Sequence, residues 1–171
     1  APGSDADAEE SWNYEAGVRF ERGAGSLEAM AFLVDYENLL GTCTASTGGD
    51  CEIGDQYDGG EVQVYGLEMI AAYDAGRALG SRWSIPLSAV YTWTDGEFQT
   101  SFNSSFEEWG TVEKGDELPL VPEHQVKAGV NLRFPVGLRA GADVRWIGEQ
   151  YLRGDEANDT DPLDSYFVAD A

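Results

Sequence analysis

Residues 124 to 146 read HQVKAGVNLRF, then PVG, then LRAGADVRW, and this stretch decides the fold. In its first half Val126, Ala128, Val130, Leu132 and Phe134 take every second position, with Gln125, Lys127, Gly129, Asn131 and Arg133 between them. In its second half Leu138, Ala140, Ala142, Val144 and Trp146 alternate with Arg139, Gly141, Asp143 and Arg145. A period of two places the apolar set on one face of a strand and the polar set on the other. Pro135 to Gly137 are short enough for a tight hairpin. Strands of about ten residues exceed the usual soluble length and match a tilted crossing of a bilayer. An apolar face opposed to a face of charges and glycines suits a barrel with lipid outside and water inside.

The pattern recurs along the chain. Trp12, Tyr14, Ala16, Val18 and Phe20 alternate with Asn13, Glu15, Gly17, Arg19 and Glu21. Leu27 to Leu40 forms a second strand with blurred alternation, and Val62 to Tyr73 a third. A fourth starts near Arg82, with Pro86 reading as an interruption, and Ser165 to Ala171 begins a seventh. Residues 1 to 10 read as a loop or a cut end, and residues 11 to 171 as partial barrel. The connections alternate in length. Short turns carry Arg22, Arg77, Arg82 and Arg139, whereas the long loops 41–61, 95–120 and 149–164 are acidic. Short turns at one end and long loops at the other are a property of outer-membrane barrels.

The totals narrow the function classes. Ten Lys and Arg against 32 Asp and Glu leave a net charge of -22, which repels nucleic acid. No apolar run reaches the roughly 18 residues of a membrane helix, a test blind to barrels. Cys43 and Cys51 sit close together in one loop, where a disulfide would require an oxidising compartment; the alternative is two free thiols. Catalysis finds little support, since no G-x-S-x-G elbow occurs and His124 falls in phase with the apolar face near a loop. Glu107 and Glu108 are the acid pair an enzyme reading would use, with solvated loop charge as the plainer account. No EF-hand is present, no cofactor is expected, and loose calcium binding by the loops is the remaining metal option.

Several stretches resemble one family. SWNYEAGVRF with GSLEAMAFLVDYENLLG resembles a strand pair of TonB-dependent outer-membrane receptors. VQVYGLEMIAAYD looks like the barrel strand with a Gly-Leu-Glu triplet, here Gly66, Leu67 and Glu68. YTWTDGEF, GDELPLVPEHQVKAGV (with Gly115, Pro119, Pro122 and His124) and SYFVADA resemble later segments in the same order. The resemblance runs from about Ser11 to Ala171, with siderophore and ferric-citrate receptors as the nearest branch. It implies a barrel of about 22 strands, plugged by an N-terminal domain and driven through TonB. Six to seven strands are then a fragment of its later half, with outer-membrane lipid and an iron chelate or similar nutrient as partners, in a Gram-negative outer membrane. TonB would be reached only through a plug that this stretch does not contain.

With the long loops outside, Asn13, Glu15, Thr92, Thr94, Gln125, Lys127, Asp143 and Arg145 line the upper lumen. Asn13, Glu15, Gln125, Lys127 and Arg145 are the candidate substrate contacts. Lys127 and Arg145 suit a carboxylate-rich iron chelate, or else pair with Glu15, Asp143 or the plug. The acidic loops oppose an anionic chelate and suggest instead a saline habitat or metal-bridged lipopolysaccharide. The alternative fold is a soluble lipocalin-like or β-sandwich secreted binding protein, whose apolar faces would meet in one dry core.

Overall fold

A computed structural model describes residues 8–42, 54, 56–58, 60–103 and 110–171. Its main element is a seven-stranded antiparallel sheet. The strands are β1 (Glu10–Arg22), β2 (Gly25–Glu37), β5 (Val62–Asp74), β6 (Pro86–Phe98), β9 (His124–Arg133), β10 (Arg139–Ile147) and β11 (Tyr166–Asp170), in that spatial order. Each pairs with the next in an up-and-down meander, and β1 and β11 form the two edges. Two small ribbons decorate the long-loop end, β3 (Leu40–Thr42) with β4 (Gln56–Asp58), and β7 (Phe102–Asn103) with β8 (Thr111–Val112).

The register joins the apolar sets of all seven strands into one face. Tyr14 lies opposite Leu33, Leu33 opposite Tyr65, Leu67 opposite Trp93, Tyr91 opposite Val126, Val126 opposite Trp146 and Trp146 opposite Phe167. This face is bare: Val18 is 73% exposed, Phe20 61% and Phe167 73%. A sandwich or lipocalin would bury such a face against a second sheet. Among the described residues the buried apolar side chains are Val62, Phe98, Val112 and Pro122, too few to form the dry core of the soluble reading.

Aromatic rings mark both limits of the apolar band. At the long-loop end Tyr65 meets Trp93 edge to face (5.8 Å) and Tyr91 stacks on His124 (6.0 Å). Their polar tips find acids or each other: Tyr65 OH donates to Asp95 (2.8 Å), Trp93 Nε1 to Glu123 (3.0 Å), and Tyr91 OH lies 3.0 Å from His124 Nδ1. At the short-turn end Trp83 meets Phe134 (4.9 Å). Tyr65 and Tyr73 are the first and last rings on the apolar face of β5, eight residues apart. At ~3.4 Å per residue and a tilt near 45° that gives a band ~20 Å deep, close to the height of an outer-membrane girdle pair.

Three segments depart from the sequence reading. Residues 74–81 are more than a turn, because α1 (Ala75–Ala78) adds one helical turn capped by Asp74. Pro86 opens β6 and does not interrupt it, with only an isolated bridge from Ser84 to Arg133 before it; a first position spares proline the missing ladder donor. β6 also runs on to Phe98, past the loop start expected at Asp95. There Val62 and Phe98 lie opposite each other on the polar face, and Val112 from the following loop closes over them with Leu118 and Phe102. The loop therefore folds inward over the polar face of β2, β5 and β6.

Gly66 shows how tightly these central strands fit. Phe32 stands directly opposite and lays its ring over the glycine, so a Cβ at 66 would strike that ring and the Trp93 carbonyl. Gly66→Val is expected to cost the inserted barrel about 2 kcal/mol, read as a lower urea midpoint for loss of the heat-modifiable form. An unchanged midpoint would contradict this packing.

Candidate functional site

The polar face is the concave candidate, and its charges are unevenly placed. Lys127 of β9 stands directly opposite Arg145 of β10, and Arg133 opposite Arg139. Four of the chain's ten cations thus share the polar face of one hairpin, with Asp143 as its acid. Like charges placed opposite each other destabilise a strand pair. Among the described residues neither Lys127 nor Arg145 forms an ion pair; the pairs seen are Arg19 with Glu28 (2.6 Å) and His124 with Glu123 (3.6 Å). Asp143 leans instead over Gly129, where a Cβ would collide with its carboxylate and come within 3.2 Å of the Ser88 hydroxyl.

The five candidate contacts do not form one group. Asn13 and Glu15 lie on edge strand β1 and bond each other, Asn13 Nδ2 donating to Glu15 (3.0 Å). Gln125 and Lys127 on β9 lie four strand spacings away in the sheet order and Arg145 on β10 five, roughly 19 and 24 Å along the sheet at ~4.8 Å per spacing. Glu15 therefore does not neutralise Lys127. Neither Arg133 nor Arg139 is among the five sequence-predicted contacts, although the alternation of residues 124–146 already places both on the polar face. Cys43, Cys51, Glu107 and Glu108 lie outside the described residues. No group of three metal-ligating side chains occurs among the described residues.

A model of the family described as TonB dependent receptor-like, beta-barrel, matches residues 2–171. The chain belongs to this family of TonB-dependent receptor barrels. The FrpB iron transporter from Neisseria meningitidis (F3-3 variant) is similar in structure at a TM-score of 0.62 and 16% identity, over 96% of this chain and 23% of that one. At that identity the likeness concerns the fold, and the chain spans under a quarter of the transporter's length. No curated protein matches the sequence.

In this receptor barrel the long loops are folded against each other. The Asn158 amide bonds the Glu117 backbone twice, accepting from its N–H (2.6 Å) and donating to its carbonyl (3.1 Å), while Leu120 N–H donates to the Tyr151 carbonyl (3.0 Å). Asp155 holds the far loop together, accepting from Asp159 N (2.8 Å), Thr160 N (3.2 Å) and Thr160 Oγ1 (2.5 Å). Glu117 stands among Asp95, Glu97, Glu123 and Glu149; burial first, then those charges, raise its carboxyl above the usual range. Glu156 is 5% exposed, and its Oε2 has no hydrogen-bond partner. Burial pushes it up to about 7, although the Gly154 amide and Arg153 favour the anion.

Two outcomes follow from this loop packing. Asn158→Ala removes both bonds to Glu117 and is expected to weaken the docking by about 2 kcal/mol, read as faster hydrogen exchange at the Glu117 amide. Glu156 is neutral in the docked loop and charged in the open one between its ordinary value and about 7. The docked loop then binds the extra proton, so its stability falls as pH rises through that window and stays low above it. Protease cleavage within residues 149–164 is expected to speed up from pH 5 to pH 8. Glu156→Gln, uncharged throughout, is expected to flatten that rise; an equally steep rise would refute the assignment to Glu156.

Proposed function

We propose that this chain is a stretch of the barrel wall of a TonB-dependent outer-membrane transporter for an iron chelate such as a siderophore or ferric citrate. The observation that carries the reading is the single apolar face shared by seven paired strands and bounded by aromatic rings. Such a face is stable against hydrocarbon and unstable against water. Family membership supports transport over catalysis, and the net charge of -22 argues against a nucleic-acid partner. On this reading residues 11–171 are barrel domain. The edges β1 and β11 are completed by further strands of the same barrel, and a plug domain provides the contact with TonB. Short turns face the periplasm and long loops the outside.

Within the lumen we place ligand contact at Gln125, Lys127 and Arg145, and treat Asn13 and Glu15 as a separate polar patch. Lys127 and Arg145, without an ion-pair partner among the described residues, suit the carboxylates of an iron chelate, since charge-assisted contacts are the strong ones in a confined polar site. The acidic loops slow the approach of an anion from outside, so capture rests on the cationic wall below them.

The test uses the whole protein that carries this stretch. It is expected in the outer membrane as a detergent-requiring, heat-modifiable band that rises under iron limitation. Changing Lys127 and Arg145 together to Gln is expected to lower iron-chelate uptake about tenfold with band and abundance unchanged. Unchanged uptake in that variant would remove the pair from the ligand path. A soluble, heat-insensitive protein would overturn the membrane reading altogether.

A further inference from the structure

We propose that the short-turn end of the outer face holds a binding site for the phosphate of a glycerophospholipid, built around Arg22 and Arg77. The inference rests on the outer face meeting lipid, and it assigns one particular lipid contact to that face. Arg22, Gly25, Tyr73 and Leu87 follow one another in a single row across β1, β2, β5 and β6. The row lies on the apolar face, because Arg22 shares the alternation of Val18 and Phe20. Arg22 thus stands one step beyond the last apolar ring of β1, at the level where hydrocarbon gives way to headgroups.

Gly25 contributes no side chain to this row. A Cβ there would come within 3.3 Å of the Tyr73 ring, so the ring leans over the glycine. The gap, with Arg77 of α1 beside it, is part of an open cavity of about 530 Å³. That volume lies in the range of small-ligand sites. Neither Arg22 nor Arg77 forms an ion pair among the described residues.

Two acids also line the cavity, and each is turned to other work. Glu21 is opposite Ser26, on the polar face with Arg19 and Glu28. Asp74 spends Oδ1 on the backbone N–H groups of Arg77 (3.0 Å) and Ile85 (3.4 Å), and its carboxylate also feels the Arg77 charge without an ion-pair contact. Arg22 and Arg77 therefore both line the cavity, whose apolar floor is Tyr73 and Leu87. Guanidinium binds phosphate oxygens in a two-pronged way, and the floor suits the first methylenes of acyl chains. Tyr73, 48% exposed, has a ring for the hydrocarbon and a hydroxyl for the headgroup layer. A free anion would use the arginines alone; the apolar floor favours a lipid.

Native mass spectrometry of the whole protein in nonionic detergent tests this. The probes are phosphatidylglycerol, phosphatidylethanolamine, a diacylglycerol of the same chains, and inorganic phosphate. Both phospholipids are expected to remain bound while diacylglycerol leaves. Arg22→Gln with Arg77→Gln is expected to lower retention about tenfold or more, and Arg→Lys at both to keep most of it. Equal retention of diacylglycerol, or unchanged retention in the Gln variant, overturns the site. Displacement by inorganic phosphate at matched concentration overturns the lipid as its occupant. Heat modifiability checks each variant for folding. If the Gln variant fails that check, the phospholipid preference of the unaltered protein and its loss in high salt decide alone. A protein without heat modifiability rejects the lipid-facing reading itself, whereas a folded one without headgroup preference rejects only this site.

Discussion

Backbone hydrogen bonding without water is the constraint on which the rest of the structure depends. In hydrocarbon an unpaired N–H or C=O costs several kcal/mol, so a strand that faces lipid must be paired along its whole crossing. The ladders among the first four strands of the sheet meet that demand. β1 pairs with β2 over thirteen residues, and β5 with β6 over thirteen. Where proline would break a ladder, it stands at the first position of β6. Continuous pairing fixes the register, and the register makes one lipid-compatible face out of seven separate alternations.

Charge is sorted by the same geometry. Acids crowd the long loops, and the cations Lys127, Arg133, Arg139 and Arg145 share the polar wall of β9 and β10. A chain with a net charge of -22 thus presents a locally positive surface to the lumen. The acidic loops avoid full repulsion by using neutral groups at their contact. Asn158 bonds backbone at Glu117, and burial holds the Glu156 carboxyl well above its ordinary range, up to about 7. Loop docking and the cationic wall are therefore built from separate sets of residues.

The small buried cluster has a different role from a globular core. Val62, Phe98 and Val112 pack on the lumen side, at the mouth, and nowhere near the lipid face. They hold the described flanks of the 99–123 loop, at Phe102, Val112 and Leu118, over the polar face. The loop belongs to the barrel's opening through apolar contacts that its acidic composition conceals.

Alternation by itself determined the strands, their two faces, the sorting of loops by length and the resemblance to receptor barrels. Local chemistry sufficed there, because a period of two states which side faces lipid whatever the partner strand. Only the tertiary structure decided what depends on which residues come opposite each other. It set Lys127 against Arg145 and Arg133 against Arg139, and it separated Asn13 and Glu15 from them by four to five strand spacings. It turned Phe98 inward from a stretch that reads as loop, and brought Asn158 to Glu117 across 41 residues of chain. Residue spacing along the chain does not contain such pairings, since they are set by register and by loops closing over many residues.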